Sequence, residues 1–423
     1  MKLVNSKLLV NEKLYIMILF LLSLLNPIFG VVFYIGAIRL VYNSGMVGII
    51  KYIIFVTMRD LLSLKIAVSL SSLNTFKLFI FILLALYCIY ISLMDKCIKK
   101  NLNVILSCIF FCILAALFSF CTGSYPITSI FKCISFGIVF CALIIGIVQT
   151  KDTMDWCKYL ITVLTPFFII SFLVIPFPSF RIINDNFQGI FNHVNMCGIM
   201  CTIYITFLLF NKIKNNKEMI TKIILIIMTL FMQYLTFSRT GMLVSIIVIF
   251  INFVFNRHSM VTYLLIASFM FGCYIVYNLN DDIKSLVNTT VVDYIYKGNQ
   301  EDIFASRRIL QKEAENKYSE NPFIGSGFMT PYIRDYVDYS LNTSLNVEPG
   351  SIIWTLFGDV GIFGTIAFII FVCSIVISGR LKNIFLILCV FGICSGEMVF
   401  FSINNGISIF LYLLLASYIS YKK

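Results

Sequence analysis

Arginine is the residue type this sequence places where an anion could be held. Arg239 lies in Thr236-Phe237-Ser238-Arg239-Thr240-Gly241, a short polar stretch joining two apolar runs with almost no loop between them. Its guanidinium either snorkels to an interface or offers a planar fork to phosphate, a geometry that lysine matches less well. Arg181 opens a polar, aromatic-interleaved segment that continues through Asn192-His193-Val194-Asn195 and enters the next apolar run. That segment reads as a solvated connector or as part of a site, and His193 within it as a bystander or a base. Ser306-Arg307-Arg308 precedes a helix-like stretch, and this basic pair is either solvated or a further anion contact. Glu348, in Asn346-Val347-Glu348-Pro349-Gly350-Ser351, is an interfacial carboxylate or a group able to accept a proton. Lys132, inside an apolar run, is a weaker candidate for the same anion. Asp359 and Glu397 read as packing partners or pore-lining groups rather than catalysts.

The elements that must position these residues are membrane helices. Of 423 residues, 60% are hydrophobic and 12% charged, against about 45–50% and about 25% in soluble proteins. So few charges cannot cover a soluble chain of this length, which excludes secreted-domain, nucleic-acid-binding and cytosolic-enzyme classes. The fourteen cysteines, with no C-x-x-C pair, read as small buried hydrophobes. The first apolar run begins near Tyr15 and is followed by more, so it reads as a retained span rather than a cleaved signal. With spans of about 20 residues, candidates are 77–94, 103–120, 128–149, 157–176, 195–211, 222–237, 240–256, 260–278, 351–375, 383–397 and 399–419. Residues 14–38 read as one long span. An amphipathic stretch with Lys51, Arg59, Asp60 and Lys65 follows it, either as one re-entrant or interfacial helix or as two poorly hydrophobic spans. The fold class expected is all-α: a polytopic transmembrane bundle of about twelve spans, within a range of about eleven to fourteen. The divisions are 1–278 for the first part of the bundle, 279–350 for a large polar loop and 351–423 for the last helices.

Placing both termini inside gathers seventeen Lys and Arg on the cytoplasmic side and leaves Arg181 and Arg239 in short outer loops. Segment 279–350 then faces outward. Its 72 residues carry eleven of the twenty acidic side chains against seven basic ones. It contains a helix-like run at 305–318 and the turn-rich Asn321-Pro322-Phe323-Ile324-Gly325-Ser326-Gly327. Gly325 and Gly327 lack the third glycine and the strand–turn–helix setting of a dinucleotide fingerprint and read as turn formers. The sequence has no P-loop, no His/Cys metal cluster and no D-x-D pair, so neither metal nor cofactor is expected. An outward-facing enzyme lacks a nucleotide supply, and its substrate must arrive already activated, most simply on a lipid.

These motifs resemble the O-antigen ligase/polymerase superfamily of bacterial inner membranes. The resemblance rests on Arg181 with Gly189-Ile190-Phe191-Asn192-His193-Val194-Asn195, on Ser238-Arg239-Thr240-Gly241 and on Ser306-Arg307-Arg308. It continues through Glu320-Asn321-Pro322-Phe323-Ile324-Gly325-Ser326-Gly327-Phe328 to Gly358-Asp359-Val360-Gly361-Ile362-Phe363-Gly364, covering roughly 180–365. It implies metal-free transfer of a saccharide from undecaprenyl pyrophosphate at the outer face of a multi-pass inner-membrane protein. Outer-face arginines hold the pyrophosphate while an acceptor sugar hydroxyl attacks the anomeric carbon. Ligases of the family carry a histidine followed by asparagine before the last Gly-rich helix, where this chain has Gly350-Ser351. That departure favours a polymerase of O-antigen or capsular repeat units over ligation to lipid A core.

On this reading Arg181, Arg239, Arg307 and Arg308 bind pyrophosphate. Glu348 or His193 is the base of an inverting displacement, and Asn195, Gly325 and Gly327 shape the glycan site and its loop. The partners implied are lipid-linked oligosaccharides as donor and acceptor, the bilayer, a chain-length regulator and a flippase; no nucleic acid is expected. The alternatives are a ligase-type glycan transferase and a lipid-linked oligosaccharide flippase, the latter suited to twelve spans but with no need of a structured outer loop and with none of its usual internal repetition visible.

Overall fold

The computed structural model of the chain describes residues 6–94, 101–177, 181–182, 186–213, 215–255, 308–330 and 350–420, with side chains throughout except at 6–13, 181–182 and 308–310. The expected span at 260–278, Arg307 and Glu348 lie outside these residues, and Arg181 and Arg308 are placed by backbone alone.

The described chain is almost entirely helical. Its α-helices are α1 (Ser6–Leu22), α2 (Pro27–Gly36), α3 (Ile38–Asp60), α4 (Asn74–Met94), α5 (Leu102–Thr122), α6 (Pro126–Thr150), α7 (Trp156–Leu173), α8 (Val194–Phe210), α9 (Asn216–Leu235), α10 (Arg239–Phe255), α11 (Arg308–Glu320), α12 (Ile352–Ser378), α13 (Phe385–Gly396) and α14 (Gly406–Ser420). Among the described residues, seven helical segments are long and apolar enough to cross a membrane: α3, α4 with its preceding short turn, α5, α6, α7, α9 and α12. The apolar α2, α8, α10, α13 and α14 are shorter. The chain is therefore an all-α, multi-pass membrane protein.

Local signals set several boundaries. Asn26 caps α2, its side chain accepting from Ile28 N, and Pro27 takes the first helical position, where its missing N–H costs nothing. That pair corrects the expectation of one span over 14–38, which divides into α1 and α2. Asp155 and Asn215 cap α7 and α9 in the same way. The expected span 399–419 is also corrected. Residues 397–405 form an irregular segment, buried at 398–401 and 403, and helix resumes only at Gly406. Such backbone is tolerated at membrane depth when protein surrounds it.

The helix that follows is the centre of the bundle. All fifteen residues of α14 are buried, as expected of a helix apolar on every side, and α14 packs against α3, α6, α8, α12 and α13. Above its start lies an aromatic nucleus. Phe401 meets Phe136 at 5.1 Å, Phe328 at 5.0 Å, Phe368 at 5.5 Å and Phe111 at 5.7 Å between ring centroids. Phe328 belongs to the described part of the long polar segment, 308–330, which is thereby anchored in the helical core at this residue.

Among the described helices, α3 and α12 are broken. Gly45 interrupts α3 with φ 54° and Gly361 interrupts α12 with φ 63°. Gly45 follows Asn43-Ser44 and Gly361 closely follows Gly358-Asp359, polar and small residues within longer apolar runs.

Candidate functional site

The break in α12 frees backbone groups that lipid could not satisfy, and the turn after α11 satisfies them. Ser326 N donates to Gly358 O at 2.9 Å and Gly327 N to Asp359 O at 3.0 Å. In return, Ile362 N donates to Pro322 O at 2.9 Å and Phe363 N to Phe323 O at 3.1 Å. Two stretches that the sequence separates by some thirty residues are thus one structural unit. Its glycines are sterically required. A Cβ on Gly325, at φ 74°, would lie 2.4 Å from the Asp359 carbonyl, and one on Gly361 would lie 2.5 Å from Ile324 N.

Charge reinforces this unit. Asp359, 1% exposed, accepts from Met329 N at 2.8 Å and faces Lys317 Nζ at 3.4 Å. Lys317 also donates to Thr330 O at 3.0 Å and Thr330 Oγ1 at 2.8 Å. Lys132 donates to Met329 O at 2.8 Å, and Thr122 Oγ1 to Gly325 O at 2.7 Å. Lys317 escaped the sequence reading because a lysine on a polar helix looks like any solvated one. Lys132, a candidate anion contact, instead carries a hydrogen bond that ties α6 to the turn.

The Arg181–Asn195 segment is equally anchored. β1 (Arg181–Ile182) pairs antiparallel with β2 (Asn186–Phe187). The connection then lies against the chain that leaves α3. Ser63 N donates to Ile190 O at 2.8 Å, Asn192 N to Leu61 O at 2.8 Å and buried Gln188 to Ser63 Oγ at 3.0 Å. Residues 187–191 are buried, which is not the surface of a solvated connector. His193 is exposed and is the N-cap of α8, its Nδ1 accepting from Asn195 N at 3.1 Å. Asn195 Nδ2 donates to Glu397 Oε1 at 3.1 Å.

The Arg239 turn packs onto this corner. Phe237 holds φ 51°, unusual for a bulky residue, and so sends the chain straight from α9 into α10. Gln233 Nε2 donates to Gly198 O at 3.0 Å, and Thr202 Oγ1 to Gly241 O at 3.0 Å. Contacts are close enough that a Cβ on Gly198 would fall 2.3 Å from Ser238 Cβ, and one on Gly396 2.3 Å from Thr240 Oγ1. Three segments therefore converge: 193–198 opening α8, 236–241 opening α10 and 396–397 closing α13. Half-buried Arg239, exposed His193, Asn195 and half-buried Glu397 belong to this corner. The N-termini of α8 and α10 add partial positive charge, suited to an anion.

Residues 223–369 match the O-antigen ligase family. The stretch is about a third of the chain and runs from α9 to the middle of α12. It contains the Arg239 turn, Arg307, Arg308, Lys317, the Gly325–Gly327 turn, Glu348 and the break at Gly361. It leaves out Arg181, His193, Asn195 and Glu397, although Asn195 and Glu397 bond to each other beside the matched turn. No curated protein sequence matches the chain. The chain is similar, over this stretch, to membrane proteins that act on O-antigen-type glycans.

Proposed function

We propose that the protein is a membrane glycosyltransferase that polymerises undecaprenyl-pyrophosphate-linked oligosaccharide repeats into surface polysaccharide, at the outer face of a bacterial cytoplasmic membrane. The observation that carries this reading is the family match, because it spans the Arg239 turn, the late loop and the broken first part of α12 together. Gly350-Ser351, in place of the histidine–asparagine pair expected of ligases, supports polymerisation. The name of the matched family supports a second reading, transfer of finished glycan to a separate acceptor, about equally well.

In either reading the difficult event is departure of a lipid pyrophosphate. Negative charge grows on the leaving oxygen as its bond to the anomeric carbon breaks. Cations and N–H groups fixed in place before the reaction stabilise that charge without reorganising. Arg239, at the start of α10, is the best-placed group for this, with Arg181, Arg307 and Arg308 as further contacts. The protein's own residues supply binding, orientation and charge; no metal or cofactor enters the scheme.

Deleting the gene and separating surface glycans on a gel tests the activity. Glycans of a single repeat identify a polymerase. Loss of all attached glycan, with long lipid-linked chains still present, identifies a ligase. An unchanged ladder sinks both. Within the site, Arg239→Lys is expected to lose most activity at normal abundance, since it keeps charge but not the fork. A wild-type ladder from that variant would leave Arg239 as an interfacial anchor only.

A further inference from the structure

We propose that Glu397 is the catalytic base, taking the proton from the acceptor sugar hydroxyl as that oxygen attacks the donor. The inference rests on the glycosyl-transfer reading above and assigns a residue that lies outside the matched stretch.

Three carboxylates can be compared directly. Asp359 is sealed at 1% exposure, with Met329 N on one oxygen and Lys317 near the other. Asp60 is held by Lys77 Nζ at 2.7 Å and by the Tyr34 hydroxyl at 3.3 Å, in the body of α2–α4. A base must reach a substrate, and both of these hold the fold together instead. Glu397 differs in its place, at the corner where α8, α10 and α13 meet. It is half-buried, it stands where α13 ends, and its backbone N closes that helix on Ile393 O at 2.9 Å. Gly396, one residue earlier, presses on Thr240 beside Arg239. The Asn195 amide donates to its Oε1 at 3.1 Å and so helps to orient the carboxylate. The group therefore stands, pre-oriented, at the corner that also holds the arginine turn.

The step balances without a co-reactant. The hydroxyl oxygen of the acceptor forms a bond to the anomeric carbon while the bond from that carbon to the pyrophosphate oxygen breaks. The pyrophosphate leaves with the electron pair, and the hydroxyl proton goes to the Glu397 carboxylate. One carboxylate is enough for inversion, because no covalent sugar–enzyme intermediate forms.

The test uses full-length protein in membranes from cells making its own lipid-linked oligosaccharide. Glu397→Gln keeps an acceptor for Asn195 but cannot take a proton, so polymerisation is expected to fall by about 10²–10⁴-fold at normal abundance. Azide, already an anion, needs no base. Added to Glu397→Gln membranes it is expected to consume the donor as a glycosyl azide without restoring polymer. Asn195→Ala, which removes the same hydrogen bond, is expected to impair transfer less and to gain nothing from azide. A folded Glu397→Gln that polymerises normally, or an inactive one that azide does not rescue, overturns the proposal. So does loss of activity in Glu348→Gln with Glu397→Gln unaffected. Should Glu397→Gln fail to accumulate, Glu397→Asp decides: it is expected to transfer slowly without azide, and a folded but inactive Asp variant counts against the base. If wild-type membranes consume no donor at all, the glycosyl-transfer reading itself has failed, which is a separate result.

Discussion

Lys77 meets Asp60 at 2.7 Å, and Lys317 meets Asp359 at 3.4 Å. By distance alone the first pair is the stronger, yet the second holds more structure. The Lys77–Asp60 pair joins α4 to the end of α3, elements already adjacent through a short connection, and its added partner is one tyrosine hydroxyl. Lys317–Asp359 closes a span of 42 residues, and both of its members also bind the backbone of the turn at 327–330. Removing a charge from the first pair loosens two neighbours. Removing one from the second unfastens the late loop from the broken helix. Connectivity, rather than ion-pair length, decides what a buried charge is for.

The largest effects should come from breaking these pairs. Losing one partner of a buried pair costs about 3–5 kcal/mol, so Lys317→Met and Lys77→Met should both lower the temperature at which protein in detergent loses its fold. The pairs should separate in the double variants. Replacing both charges by apolar residues is often near neutral, and Asp60→Leu with Lys77→Met should recover much of the stability, the remaining loss being the long Tyr34 hydroxyl contact at 3.3 Å. Asp359→Leu with Lys317→Met should not, because the Met329 amide is left without its carboxylate, at a cost of about 1–3 kcal/mol. Equal recovery in the two double variants would remove the distinction.

Next in size are the helix breaks, which sharpen the same contrast. A Cβ at Gly45 would meet nothing within 4 Å, whereas one at Gly361 would strike the backbone at 323–325. Gly45→Ala should therefore cost only its backbone strain, about 1–3 kcal/mol. Gly361→Ala should add a collision that no rotamer relieves, releasing the late loop and abolishing glycan synthesis. Limited proteolysis of the late loop, scored beside the glycan ladder, distinguishes the two. Matched behaviour of the alanine variants would mean that the break in α12 can re-form without the turn.

What the sequence disclosed follows from which forces are local. Long apolar runs located α4–α8, α10, α12 and α13 to within a few residues and α9 except for its first turn and a half, because apolar length alone marks such a helix. The division of 14–38 was legible too, in Asn26-Pro27, but the unbroken hydrophobicity on both sides concealed it. The breaks at Gly45 and Gly361 were not legible, since a glycine inside a membrane helix looks the same whether helical or not. At the site, Arg239 stood out because a cation between two apolar runs is costly wherever it sits. Lys317 did not, and Glu397 read only as a packing or pore-lining group, for their contacts are with partners 42 and 202 positions away. Ser119 was equally silent, its hydroxyl accepting from Phe328 N across 209 residues.

The smallest expected effect concerns His193, and it separates the two ways in which the 193–198 corner could matter. As the N-cap of α8, His193 supplies an acceptor to Asn195 N, and capping contacts are worth about 0.5–2 kcal/mol. Asparagine is among the best N-caps and cannot act as a base near neutral pH. If His193 only caps, His193→Asn keeps both stability and the glycan ladder, while His193→Ala loses a little stability and displaces Asn195. Transfer should then slow through the altered Asn195–Glu397 contact rather than through loss of a proton acceptor, so azide should not restore donor consumption in the alanine variant. The converse result would be a stable His193→Asn that makes no polymer but forms glycosyl azide. That would move the proton to the imidazole and reduce Glu397 to the group that orients Asn195.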